Sequence, residues 1–362
     1  MHKWLLAILT LLIAIPPLVA QEVEWSIDAS TLLNNREGGE DRTTPDQTFI
    51  FTRLAPELGI SMLDGTHMLK GGAVWYQPIV DNLSGYKILP TLYYRYNSND
   101  GWHVTAGLMP RSLMVERTPR YLWSDSLNYC QPNLRGIMVQ LIKPTGYAEL
   151  AIDWRQMQTV QQREAFTIML NTDWHIAGPL RLGGHLQYSH LAMSRNHGPD
   201  EHVNDDIIIN PMVSLDLSRR GVLDSLRLSA GVLANMERDR GINKWQSPAG
   251  FVATAIARWR WIELNETFYA GGRLMPLYEK FGSQLIQGDP YYNSKSYSRT
   301  DLIFHIVNNR FVDLNGSMSL HATDQVTGFW QQVSCRFYID SSLWKRRHDN
   351  GYLMSGNLPN LY

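Results

Sequence analysis

The stretch YAELAIDWRQ, residues 147–156, constrains this chain more than any other. Laid out as an extended strand, it puts Ala148, Leu150, Ile152 and Trp154 on one face. Tyr147, Glu149, Ala151, Asp153 and Arg155 fall on the other. Side chains alternate with period two along a strand, so one face is apolar and the other carries charge. Two folds accommodate such a strand: a soluble sandwich with its polar face in water, or a membrane barrel with its apolar face in lipid.

The rest of the chain favours the barrel. Residues 21–34 alternate Val23, Trp25, Ile27 and Ala29 against Glu24, Ser26, Asp28 and Ser30, and 49–62, 86–97, 223–235 and 312–322 repeat the rhythm. About sixteen such segments can be counted, most near the ~9–11 residues that a tilted strand needs to cross a bilayer. Their connections alternate between long and short, with short turns at Asp64-Gly65, 98–100, 144–146 and Asn308-Asn309. All short turns then lie on one side of a membrane, an asymmetry that a soluble sandwich has no reason to show. The expected fold is all-β: a single closed antiparallel transmembrane β-barrel of about 16 strands, with long extracellular loops and short periplasmic turns. Closure removes the strand edges that lipid would penalise. Three places fit poorly: Glu266 on an apolar register, Lys70 beside Gly71-Gly72, and the imperfect alternation of 134–142. A bulge can flip the register at any of them.

Composition and the chain ends agree with export to a membrane. Charged residues are only 19% and the net charge is -1, which points away from nucleic acid and from disorder. Trp 12 and Tyr 17 are plentiful, and both rings favour the membrane–water boundary. Lys3, an apolar run over 4–15 and Pro16-Pro17 read as a signal peptide over 1–20. The barrel is expected over 21–340 and a polar C-terminal tail over 341–362. Only Cys130 and Cys335 occur, too few for a disulfide framework.

The final strand, GFWQQVSCRFYI, resembles the C-terminal strand by which bacterial barrels are recognised, which implies the barrel-insertion machinery as a partner. The arrangement of Asp153, Trp154, Arg163, Glu164 and Phe166 resembles porin-like outer-membrane barrels of the Bacteroidota over most of the mature chain. That resemblance implies the outer membrane of a Gram-negative cell, with outer-membrane lipid and lipopolysaccharide as surroundings. A homo-oligomer is compatible with it.

The polar register supplies the candidate site. Arg53, Arg95, Arg111, Glu116, Asp125, Glu149, Asp153 and Arg155 are the expected pore-lining and constriction residues. Residues 112–132 form a long loop, apolar enough to enter the lumen, with Glu116 and Asp125 expected to face Arg53, Arg95 and Arg111. Such a passage suits a passive channel for small polar or anionic solutes. The same charges can instead pair across strands and set no selectivity. A second reading is a plugged structural or assembly barrel, partner of an uptake or secretion complex. A third is an outer-membrane lipid hydrolase: Tyr188-Ser189-His190 with Ser194 resembles the outer-membrane phospholipase pattern. There the Ser stands two residues after the His, whereas here Ser194 stands four after His190. On that ground no catalytic residue, cofactor or metal is expected, and the protein is read as not an enzyme. Asp200, Glu201, His202, Asp205 and Asp206 read as a solvated acidic loop. Loops 194–205 and 276–297 are expected to be reachable from outside the cell.

Overall fold

The computed structural model describes residues 21–38, 46–79, 85–242 and 244–345. The signal over 1–20, most of the loop 35–45 and most of the tail beyond 340 lie outside them. The chain first forms β1 (Gln21–Gly38), β2 (Gln47–Met62), β3 (His67–Pro78), β4 (Lys87–Asn97) and β5 (Trp102–Pro110). Next come β6 (Asn133–Lys143), β7 (Gly146–Gln156), β8 (Ala165–Ala177), β9 (Leu180–Leu191), β10 (Asn204–Asp216) and β11 (Ser225–Asp239). A three-residue β12 (Lys244–Gln246) extends the next hairpin. The last are β13 (Ala249–Trp259), β14 (Ile262–Gly271), β15 (Ser296–Asn308), β16 (Val312–Thr323) and β17 (Thr327–Asp340).

Each strand pairs antiparallel with its sequence neighbours, and β1 pairs with β17 from Ser26↔Asp340 to Gly38↔Gly328. Sixteen long strands therefore close into one up-and-down barrel, as the alternation and the turn spacing required. Both described chain ends sit at the short-turn end, because Gln21 pairs with Met62 beside the 63–66 turn. Among the described residues no helix is long and apolar enough to cross a membrane. The barrel crosses with its strands.

The outer wall is apolar. Leu150, Leu170, Leu182, Val213, Leu228, Leu264 and Leu320 are all exposed. Trp75, Trp154, Phe251 and Phe268 form a ring near the long-loop end, and Trp102, Trp259, Trp261 and Phe337 form another near the short-turn end. In water this surface would be unstable; between two aromatic belts it is a lipid-facing band. The misfits also resolve. Glu266 faces outward, but the hydroxyls of Ser298 (2.7 Å) and Thr300 (2.5 Å) donate to it from the adjoining strand. Lys70 faces the lumen and donates to Ser26 (2.8 Å) and pairs with Glu57 (3.5 Å). In β6 the break falls at Gly136, whose φ of 149° no ordinary side chain adopts comfortably.

The hydrophobic core lies inside the barrel, in its long-loop half. Two inserted segments, 111–132 and 272–295, supply Tyr121, Leu122, Leu274, Leu285, Ile286 and Tyr292. These pack on Leu191, Ile208, Leu233, Val252, Tyr269 and Trp330, which point inward from the wall. Each fully buried aliphatic contributes about 1.5–3 kcal/mol relative to exposure. The second segment was expected to be an exposed external loop. It instead supplies more of this core than the first segment does, because its Leu, Ile and Tyr side chains find an apolar wall only inside.

Candidate functional site

The two inserted segments dock on each other and on the wall through polar groups. Backbone bonds run from Ser124 N–H to Gln287 O (2.8 Å) and from Asp289 N–H to Arg120 O (2.8 Å). Asp125, at the start of the short helix Asp125–Cys130, pairs with Arg117 (2.5 Å), Arg120 (3.1 Å) and the wall residue Arg299 (2.7 Å). Asp301 completes the hub by accepting from Arg299 (2.8 Å) and Arg120 (3.2 Å). Burial alone would push the Asp125 carboxyl up, yet Arg120, Arg299 and Arg117 together hold it well below the usual range. The second segment hangs on alternate inward residues of β11. Asn235 accepts Met275 N–H (2.7 Å), Glu237 accepts Leu277 N–H (2.7 Å), and Asp239 pairs with Lys280 (2.9 Å).

Of the eight residues read from the sequence as pore-lining, Arg53, Arg95, Glu149 and Asp153 face inward from the wall, Arg111, Glu116 and Asp125 sit in the first inserted segment, and Arg155 stands at the end of β7; their partners differ from those expected. Arg53 pairs with Asp28 (3.1 Å), and Arg95 donates to Gln140 (3.1 Å) and Thr105 (3.2 Å). Arg111 pairs with Asp153 and lies over the Trp123 ring at 3.6 Å. Asp153 also accepts from Arg135 (3.2 Å). Glu149 accepts from Gln140 (2.6 Å), Asn171 (3.1 Å) and Val115 N–H (2.9 Å). Arg155 donates to the carbonyls of Ser283 (3.1 Å) and Gln284 (2.8 Å). Glu116 and Asp125 do not face Arg53, Arg95 and Arg111: Glu116 reaches Arg227 (3.6 Å), and Asp125 reaches the hub just described. The ends of the loop lie on the β2–β6 wall, with Met114 against Tyr93 and Met109 and Tyr129 against Phe51, while its middle, Tyr121 and Leu122, packs on the second segment and carries Asp125 across to β15.

Two small cavities lie beneath the plug, toward the short turns. One cavity of about 120 Å³ is lined by Asp28, Arg53, Glu57, Lys70 and Arg117, and one of about 100 Å³ by Arg117, Asp125, Asn315 and Gln332. Farther down, Ile256 faces inward yet is 39% exposed, so the lumen opens to solvent at that end.

Asp289, in the second inserted segment, adds a pH dependence. Burial pushes its carboxyl up to about 6; Arg299 pulls it down and Asp125 pushes it up. A carboxyl whose folded value lies above its unfolded one costs stability when ionised. The penalty is absent below about pH 4, grows between about pH 4 and 6, and is complete above, at roughly 3 kcal/mol. The thermal midpoint is therefore expected to be higher at pH 5 than at pH 7.5, and Asp289→Asn to flatten that difference. An unchanged difference in the variant would assign the dependence to another group.

A second polar constellation lies on the outside of the wall, at the long-loop rim. On β9, Tyr188 and His190 point outward and Ser189 inward, where Ser189 donates to Gln287 (3.0 Å). Asp205 points outward from β10, directly across from His190 in the ladder. His190 Nδ1 lies 3.0 Å from Asp205 Oδ1, and the Tyr188 hydroxyl donates to the same oxygen at 2.9 Å. A carboxylate can only accept, so Nδ1 carries a proton, and in the neutral ring the lone pair is then on Nε2. Arg240 grips Asp205 with two bonds (2.8 and 3.0 Å), and Arg238 adds a third (3.2 Å). One carboxylate between two guanidiniums leaves the patch net positive. On the other side His190 stacks on Phe166 at 4.9 Å, and Phe166 on Trp154 at 5.3 Å. Ser194, the nucleophile considered from sequence, is turned away and bonded to Glu201 (3.2 Å).

Sequence reasoning met His190 but discarded it for want of a serine at the right spacing. It missed Asp205 by reading it as part of an acidic loop, although a strand register starting at 204 sends Asp205 and Asp206 to opposite faces. Pairing of β9 with β10 is what joins His190 to Asp205.

Comparison with solved structures finds porin barrels. The outer membrane protein opdK from Pseudomonas aeruginosa superposes with a TM-score of 0.53 at 8% identity, covering 88% of this chain and 99% of that one. Pseudomonas aeruginosa OccK5 (OpdH) gives 0.54 at 7% identity, covering 88% and 98%. The anion-selective porin from Comamonas acidovorans gives 0.52 at 13% identity, covering 89% and 100%. At such identities the likeness is one of fold, and it agrees with the apolar band in placing the protein in the outer membrane. No curated protein matches the chain. The family model described as Lipid A 3'-O-deacylase-type matches residues 15–337. That match overturns the expectation that the protein is not an enzyme, and with a porin-like barrel around it, the chain belongs to the lipid A 3'-O-deacylase-type family.

Proposed function

We propose that the protein is an outer-membrane acyl-ester hydrolase acting on a lipid of the lipid A type, with its site on the lipid-facing wall at His190. The observation that carries this reading is the outward pair of His190 and Asp205, held at 3.0 Å just below the long-loop rim. A lipid ester lies at that depth, and a porin has no use for such a pair there. His190 Nε2 takes a proton from water as the water attacks the ester carbonyl, and later returns it to the leaving alkoxide. Asp205 holds the ring in the required tautomer and stabilises the imidazolium. Arg238 and Arg240 bond Asp205 and present spare N–H groups to an anionic headgroup. Ser189, next to His190 in sequence, points inward to Gln287, and Ser194 is bonded to Glu201, which favours attack by water over an acyl-enzyme. The purified protein in vesicles containing lipopolysaccharide should release fatty acid and a lipid shortened by one ester-linked chain. A folded barrel that releases none would sink the reading.

A second reading is a restricted channel, favoured by the polar, solvent-open vestibule beneath the plug. It predicts small, rare conductance steps in planar bilayers. A silent membrane containing folded protein would remove it.

A further inference from the structure

Beside the His190 patch, on the same outer wall, lies a groove of about 830 Å³. Its floor is flat because Gly107 and Gly136 present no side chain there, and its sides are Leu92, Leu108 and Trp154. Both glycines have left-handed φ values, 124° and 149°, and a Cβ on either would meet a neighbouring carbonyl oxygen at 2.2 or 2.3 Å. The flat floor is therefore fixed by the backbone, not by the chance absence of bulk. Toward the long-loop end the lining turns polar, with Arg135, Arg155 and Arg195 against one carboxylate, Glu164. Arg135 already serves Asp153, and Arg155 serves two backbone carbonyls. Arg195 stands exposed in the connection between β9 and β10. The groove is thus apolar at the depth of the bilayer and positively charged at its surface. Trp154 is shared between it and the stack that ends on His190.

We infer that this groove holds one acyl chain of a phosphate-bearing membrane lipid, with the headgroup drawn to the arginine rim. The inference rests on the hydrolase reading, because it names where a chain would lie while its ester meets His190. An apolar slot alone would accept any lipid; the excess of guanidinium at its mouth selects an anionic one. Arg195 is the member of that rim engaged neither with Asp153 nor with the carbonyls of the plug.

The test is quenching of Trp154 by lipids with brominated chains. The protein is placed in phosphatidylcholine vesicles doped, at equal mole fraction, with brominated phosphatidic acid or brominated phosphatidylcholine. The contribution of Trp154 is the difference from a Trp154→Phe variant. Phosphatidic acid should quench Trp154 several-fold more than phosphatidylcholine, about fivefold for one engaged arginine. Arg195→Glu, in an exposed connection where folding is not at stake, should abolish the preference. Equal quenching by the two lipids, or a preference that survives Arg195→Glu, would overturn the inference. The same measurement on His190→Gln separates it from the hydrolase reading. Selective quenching without hydrolysis in the parent protein keeps the groove and removes the reading. Hydrolysis with unselective quenching does the reverse.

Discussion

Replacing His190 with glutamine is expected to lower the rate of acyl-ester hydrolysis by roughly 10²–10⁴-fold, the range that general acid–base catalysis supplies. Glutamine keeps the size and one donor of the ring, but it cannot accept a proton at the position of Nε2. Asp205→Asn is expected to act in the same direction. It weakens the link that holds Nδ1 protonated, and it leaves Arg238 and Arg240 without their shared carboxylate. Both residues face outward, away from the plug, so His190→Gln should keep the gel mobility and thermal midpoint of the parent barrel, whereas Asp205→Asn should also lower the midpoint by leaving Arg238 and Arg240 uncompensated. Activity within about threefold of the parent in His190→Gln would leave the general base elsewhere, since loss of a true base cannot cost so little.

Asp125→Ala is expected to release the inserted segments from the wall. The carboxylate sits among Arg117, Arg120 and Arg299, and Arg299 is as buried as Asp125 itself. Removing one member of a buried ion pair costs about 3–5 kcal/mol, because the partner charge is left uncompensated. Here Asp301 remains to share Arg299 and Arg120, which places the loss at the lower end. A plug docked less firmly by that amount should be cut by trypsin at Arg117 or Arg120, and conductance should rise in planar bilayers. Changing Asp125 and Arg299 together to apolar residues should restore part of the stability. If Asp125→Ala resists trypsin and conducts like the parent, the apolar core alone holds the plug.

The architecture was legible in the sequence because a barrel repeats one physical demand at every second residue. The segment 147–156 has the same two faces in the structure as on paper, with Leu150 and Trp154 in lipid and Glu149 and Asp153 buried inward. Long-range placement of the loops was not legible. Residues 272–295 carry their apolar groups without a period, so nothing in their pattern distinguishes an external loop from a plug. Which carboxylate meets which arginine was not legible either: Asp125 meets Arg299 on β15, beside the backbone bonds that join 111–132 to 272–295. On the outer wall the obstacle was different. His190 and Asp205 lie fifteen residues apart in sequence and become neighbours only through the β9–β10 ladder.

The seam between β1 and β17 bears on how the barrel comes into being. Every other long-strand pairing joins neighbours along the chain and can zip up locally; the seam joins residues such as Asp28 and Arg336, 308 positions apart. Loop-closure entropy rises with the logarithm of that separation, so local hairpins assemble first and the seam last. Once it is shut, the lumen has no side door, and both inserted segments must settle through the open mouth of a finished cylinder. Slow maturation in refolding should thus respond to Arg336, whose guanidinium bridges the seam to Asp28, more than to any residue of the plug.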